Sequence, residues 1–193
     1  MKIIILRHAE RYKSPTYLTP LTVEGLEQAD ILKESLPSDI DYIYCSPFLR
    51  TLQTIYPYCL KYNKKVNTEN VFYERCMSPY FNYHNYRNST IDLKESWNYA
   101  TDIINKDYKS KWFVSNIKLN PTDQDIQNRV FSFIYRLCKK YKNTDNTFLI
   151  CSHSSICNAV KKVFNKNTTL RDEFPMGHFE EVSIDDSWKG INL

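Results

Sequence analysis

The sequence predicts an α/β fold: a three-layer sandwich with a mostly parallel central sheet flanked by helices. Two aliphatic runs, Ile3-Ile4-Ile5-Leu6 and Thr147-Phe148-Leu149-Ile150-Cys151, are each closed at once by polar residues, the pattern of strands buried on both faces. Segments with helical apolar spacing separate the strand candidates, and strands alternating with helices build parallel sheets. A length of 193 residues fits one domain. A content of 42% hydrophobic and 25% charged residues excludes disordered, collagen-like and coiled-coil chains.

Taken in order, Lys2 to Leu6 is the first strand, and its end delivers Arg7 and His8. Thr22 to Leu36 follows as a helix, with Val23, Leu26, Ala29, Ile31, Leu32 and Leu36 largely at helical spacing, Thr22 as cap and Pro37 as stop. Asp41 to Cys45 is the second strand. Leu49 to Tyr62 is the next helix, bent at Pro57, and Val71-Phe72-Tyr73 is expected as a short strand. From Cys76 to about Asn120 the pattern is irregular and rich in Tyr, Asn and Trp, and is read as an insertion (76–120) of short helices and loops over the carboxyl edge of the sheet.

Asp123 to Tyr141 is a helix with Ile126, Val130, Phe131, Phe133, Ile134, Leu137 and Cys138 on its apolar face. The strand at 147–151 is followed by Ser152-His153-Ser154-Ser155, a helix from about Ile156 to Phe164 and a last short strand at Glu181 to Ile184. No repeat and no Gly/Ser/Pro linker divides the chain, so residues 1–193 read as a single domain.

No run nears the roughly 20 apolar residues that cross a bilayer, and Lys2 to Leu6 is too short for a signal-peptide core. Six cysteines without a CxxC pair, in a chain long enough for a real core, predict reduced thiols and a cytoplasmic location. The net charge of +4, from 26 basic and 22 acidic residues without a long single-sign block, permits an anionic substrate and does not demand nucleic acid. The low glycine count of 3 beside 15 tyrosines reads as coding background.

In open α/β sheets ligands bind beyond the carboxyl ends of the strands. Arg7, His8 and His153 all end buried strands, and Arg50 follows a strand and the Ser46-Pro47 turn. Two arginines and two histidines converging at one edge suit a tetrahedral dianion, because guanidinium forks match phosphate oxygens and imidazole adds a further donor. A carboxylic acid beside them would allow phosphoryl transfer without a metal. Glu74 is the candidate, with Glu10, Glu69 and Glu95 as rivals. Ser46 and Ser154 either donate to phosphate or cap turns.

These residues resemble the histidine phosphatase (phosphoglycerate mutase-like) superfamily, branch 1. Leu6-Arg7-His8-Ala9-Glu10 is similar to its Arg-His-Gly signature, with Ala9 in place of glycine. Pro20-Leu21-Thr22 with Gly25, Gln28 and Ala29 resembles its PLTxxGxxQA segment, Ser46 to Thr54 its SPxxRxxQT segment, and Ser152-His153-Ser154-Ser155 its second-histidine motif. The resemblance implies a nucleophilic His8, an acid Glu74, a catalytic His153, and Arg7, Arg50 and Ser154 as substrate ligands, with no cofactor and no metal. It implies a phosphatase working through a phosphohistidine.

The Arg-His-x-Glu-Arg and His-Ser-Ser variants are similar to the tyrosine phosphatase-like branch, whereas Lys13 and Ser154 stand where the histidine acid phosphatase branch differs. A phosphoglycerate mutase-type phosphotransferase is the enzymatic alternative, weakened because Glu74-Arg75 is followed by Cys76-Met77-Ser78. A non-catalytic domain that binds phosphate or nucleic acid through Lys64-Lys65, Lys139-Lys140 and Lys161-Lys162 is the other. The expected partners are a small phosphorylated substrate or a phosphoprotein, with no membrane and no nucleic acid, and a homodimer stands as an open alternative to a monomer. Substrate choice is assigned to the insertion, where Tyr80, Phe81, Tyr83, His84, Tyr86 and Arg87 crowd together; the plainer reading of these aromatics is the insertion's own small core.

Overall fold

A computed structural model of the protein describes residues 1–13, 16–77, 98–112, 118–164 and 166–183. Along strand β1 (Lys2–Arg7) the side chains alternate between two layers: Ile3 and Ile5 enter one core, Ile4 and Leu6 the other. The same division runs through β4 (Thr147–Ser152), where Phe148 and Ile150 oppose Leu149 and Cys151, and through β2 (Tyr42–Cys45), where Tyr44 opposes Ile43 and Cys45. Both faces therefore need a cover of helices. Helices α3 (Asp123–Tyr141) and α4 (Ser154–Val163) supply one, and α1 (Val23–Ser35) and α2 (Leu49–Lys61) the other.

With β3 (Val66–Thr68) and β5 (Phe179–Ser183) the sheet has the order β3-β2-β4-β1-β5. All its pairings are parallel except that of β5 on β1. The four parallel strands thus end at one edge, where the chain leaves β1 through Arg7, β2 through Ser46 and β4 through His153. This is the expected sandwich. No helix among the described residues is long and apolar enough to cross a membrane, and all six cysteines are buried and free.

Three local expectations change. The third strand lies at Val66–Thr68, not at Val71–Tyr73; residues Asn70–Phe72 form a 3-10 turn capped by the Glu69 side chain, which accepts from the Val71 N–H. Val71 and Phe72 are apolar because that turn drives them into the α3–α4 core. On α1 the buried stripe is Gly25, Ala29 and Leu32, whereas Val23 and Ile31, both above 60% exposed, lie on the outer side. Close packing of α1 on α2 leaves room only for a narrow stripe.

Residues 98–112 of the insertion do not simply lie over the carboxyl edge. Ala100, Ile103 and Ile104 join the α2-side core, and Ile104 forms a parallel bridge with Val66 beside β3. The aromatic cluster from Tyr80 to Arg87, Glu95 and the last strand residue expected, Ile184, lie outside the described residues.

Candidate active site

His8 follows β1 directly and is buried, with its backbone N–H on the Ser152 carbonyl at 2.9 Å. Its Nδ1 lies 2.7 Å from the Ala9 carbonyl oxygen. A carbonyl can only accept, so Nδ1 carries the proton and Nε2 keeps its lone pair. One ring nitrogen of His8, one of His153 and a Glu74 carboxylate oxygen lie within 4.8 Å of one another. The two imidazoles meet edge to face at 5.2 Å between centroids.

Glu74 is the hub of this group. Its Oε2 lies 3.1 Å from Arg50 Nη2 and 3.3 Å from His153 Nδ1. The second contact is off-line, so Nδ1 has no well-formed hydrogen bond. Arg50, in the first turn of α2, is wholly buried and also donates from Nη1 to the Thr16 carbonyl at 2.8 Å. Ser46, at the end of β2, shares a 2.9 Å hydrogen bond with His153 Nε2. A neutral His153 that points Nδ1–H toward the carboxylate accepts from that hydroxyl, so Ser46 orients the ring.

The glycine- and glutamine-bearing segments brace the turn that carries His8. Thr54 Oγ1 accepts from the Ala9 N–H at 2.9 Å, Gln28 Oε1 from the Glu10 N–H at 2.9 Å, and Gln53 Oε1 from the Leu21 N–H at 2.9 Å. Gly25 packs so closely under this turn that a Cβ there would sit 1.9 Å from the Glu10 carbonyl oxygen. Thr22 caps α1 by accepting from the Gly25 N–H.

Charge follows from burial. Burial, with Arg50 and His153 close by, holds the His8 imidazole well below its ordinary value. Burial also lowers His153 to about 4, against the pull of Glu74. The Glu74 carboxyl is pushed up by burial, but His153, Arg50 and His8 outweigh this and hold it well below the usual carboxylate range. Since His153 is neutral at pH 7, the Arg50 ion pair is the interaction that keeps Glu74 ionised. Arg50 itself falls to about 10 by burial and stays protonated.

Arg7 is partly buried and donates to the Phe174 carbonyl, while its Nε has no partner among the described residues. Arg11 lies near enough for its charge to lower both Arg7 and Arg50. The site therefore sets the Arg7 and Arg50 guanidinium groups about one carboxylate, with the Arg11 charge further out. Two imidazoles and a carboxylate have the donor chemistry of a divalent metal site, but this excess of cations opposes a metal ion and favours an anion.

Ser154 is occupied otherwise: its hydroxyl donates to the Asp172 carbonyl at 3.3 Å and accepts from the Phe174 N–H at 3.2 Å, tying down the segment after α4. Of the rival acids, Glu69 is buried and accepts from the Tyr108 and Ser110 hydroxyls, a purely structural set. Sequence reasoning missed Arg129, which lies on the buried side of α3. Its Nη2 donates to the Tyr73 carbonyl at 2.8 Å and its guanidinium covers the Tyr73 ring at 3.5 Å, fixing the residue before Glu74. A charged residue interrupting the apolar stripe between Ile126 and Val130 was the available signal.

A family model described as the histidine phosphatase superfamily (branch 1) matches residues 3–184. No curated protein matches the chain. Among solved structures, an α-ribazole phosphatase from Shigella flexneri is 20% identical, with a TM-score of 0.61 and coverage of 96% of this chain and 92% of that one. A phosphoserine phosphatase from Entamoeba histolytica, in complex with 3-phosphoglyceric acid, is 18% identical, with a TM-score of 0.62 and coverage of 93% and 89%. An ecdysone phosphate phosphatase from Bombix mori, in complex with tungstate, is 14% identical, with a TM-score of 0.65 and coverage of 93% and 88%. At these identities the likeness is one of fold.

Proposed function

The chain belongs to the histidine phosphatase superfamily, branch 1, and on that premise we propose that it is a phosphatase that hydrolyses a phosphomonoester through a phosphohistidine on His8, without a metal ion. The observation that carries this reading is the 2.7 Å bond from His8 Nδ1 to the Ala9 carbonyl. It places the proton on Nδ1, burial keeps the ring neutral, and Nε2 is then a nucleophile beside the Arg7 and Arg50 guanidinium groups that can hold a phosphoryl dianion.

In the first step His8 Nε2 attacks phosphorus, the N–P bond forms, and the bond to the ester oxygen breaks. Arg7 and Arg50 offset the charge on the transferring oxygens, and the neutral His153 ring donates to them from Nδ1–H. Glu74, protonated when the substrate dianion draws Arg50 away and adds negative charge beside it, gives its proton to the leaving oxygen. In the second step water attacks the phosphohistidine, Glu74 takes a proton from that water, and inorganic phosphate leaves with His8 restored. The names of the three structures reported above, each a phosphatase, support hydrolysis over a mutase reaction.

The test is phosphate release from phenyl phosphate in excess EDTA. The intact protein is expected to turn over, and His8→Ala to lose at least about a thousandfold in kcat. Activity that survives His8→Ala would overturn the assignment of the nucleophile.

A further inference from the structure

Two cavities flank the site. One, of about 640 Å³, is walled by Arg7, Glu10, Arg11 and Lys13 on the side of β1. The other, of about 390 Å³, has Glu74 in its wall together with Arg75, Ser154, Ser155, Leu170 and Arg171. In-line displacement sends the ester oxygen toward the group that protonates it. Given the reading above, with Glu74 as that group, the alcohol half of the substrate occupies the second cavity.

Its wall carries polar groups that the fold leaves unused. Ser155, in the first turn of α4, is only 8% exposed, yet its Oγ has no hydrogen-bond partner among the described residues. The buried Nε of Arg75 is likewise unpartnered. A buried hydroxyl left without a partner costs free energy unless something else supplies one. Asp123 serves two guanidinium groups at once: Arg75 Nη2 binds its Oδ1, and Arg171 Nε stands 3.9 Å from its Oδ2. Arg171 is therefore loosely held, its side chain 79% exposed. Asp172 also lines this cavity, but both oxygens of its carboxylate already accept, from the Thr168 and Thr169 hydroxyls at 2.9 and 2.6 Å.

We infer that this cavity reads the leaving group, with Arg171 and Ser155 as specificity-determining residues that select phosphomonoesters whose alcohol carries a carboxylate. Arg171 supplies the ion pair from the rim, and the Ser155 hydroxyl donates from the wall. The loose 3.9 Å contact to Asp123 lets Arg171 exchange one carboxylate for another.

The test compares 3-phosphooxypropanoate with propyl phosphate, which differ only in the carboxylate, alongside phenyl phosphate. The full-length protein is expected to favour the carboxylated ester in kcat/KM by about tenfold, mostly through KM. Arg171→Met should bring that ratio close to one and Arg171→Lys should restore part of it. Ser155→Ala should lower it by severalfold, with an unchanged thermal transition showing that the fold is intact. A ratio near one in the intact protein while both esters are hydrolysed, or a ratio unmoved by Arg171→Met, overturns this inference and leaves the phosphatase reading standing. Failure to hydrolyse any of the three esters overturns both.

Discussion

Arg50 Nη2 donates to Glu74 Oε2 across 3.1 Å, joining the first turn of α2 to the segment after the 3-10 turn. The guanidinium is wholly buried, while the carboxylate is 19% exposed and borders a cavity. On the phosphatase reading this pair marks the place where a phosphoryl group and its leaving oxygen meet. An incoming dianion competes for Arg50, and a carboxylate that loses its cation and gains an anionic neighbour binds a proton more readily. Substrate binding thereby turns a resting carboxylate into the acid that the first step requires.

Replacing Arg50 by Met leaves the Glu74 carboxylate and the Thr16 carbonyl without their donor. The expected cost is about 2–4 kcal/mol in urea unfolding, and at least about a hundredfold in kcat/KM on phenyl phosphate. Arg50→Lys keeps the charge but not the two-pronged geometry that spans Glu74 and Thr16, so it should recover only a small part of the activity.

Acid should destabilise the protein over a defined window. His153, with a folded value of about 4 against an ordinary 6.5, is buried as the neutral ring. Its folded pKa is the depressed one, so the unfolded chain binds more protons between those values. The contribution is present in full above about pH 6.5 and is lost as the pH falls toward 4. His8, lowered by burial in the same direction, adds to the loss. Glu74 acts further down, below its ordinary 4.5, as the folded carboxyl resists protonation. Urea midpoints measured from pH 7.5 to 4 should fall most steeply below pH 6.5, and His153→Gln should flatten that slope; an unchanged slope in the variant would refute the assignment to His153.

Gly25→Ala forces a methyl group against the Glu10 carbonyl, backbone that cannot rotate away. The same turn carries His8, so stability and catalysis should fall together. A drop of roughly 5–10 °C in Tm is expected, with a matching loss of kcat on phenyl phosphate. A neutral result in both would mean that the turn moves freely on α1.

Much of the fold was legible because its signals are local. The apolar runs of β1 and β4 and the α3 periodicity announced elements whose bounds differ by at most a residue from those observed. Val71-Phe72 misled for a physical reason: apolar residues needed by the α3–α4 core look the same in sequence whether a strand or a 3-10 turn delivers them. The exposed Val23 and Ile31 misled in the opposite sense, since helical spacing does not say how wide a stripe the neighbouring helix will cover.

The sequence by itself determined the alternation of elements, and with it the edge at which Arg7, His8 and His153 emerge, because side-chain periodicity and strand ends are properties of neighbouring residues. The tertiary structure alone decided which polar atoms meet there. Ser46 turned to His153, Ser154 turned to Asp172 and Phe174, Arg129 laid over Tyr73, and Glu74 held by Arg50 are pairings across 18 to 107 positions of chain. Such contacts depend on strand register and helix packing acting together, which no stretch of sequence specifies alone.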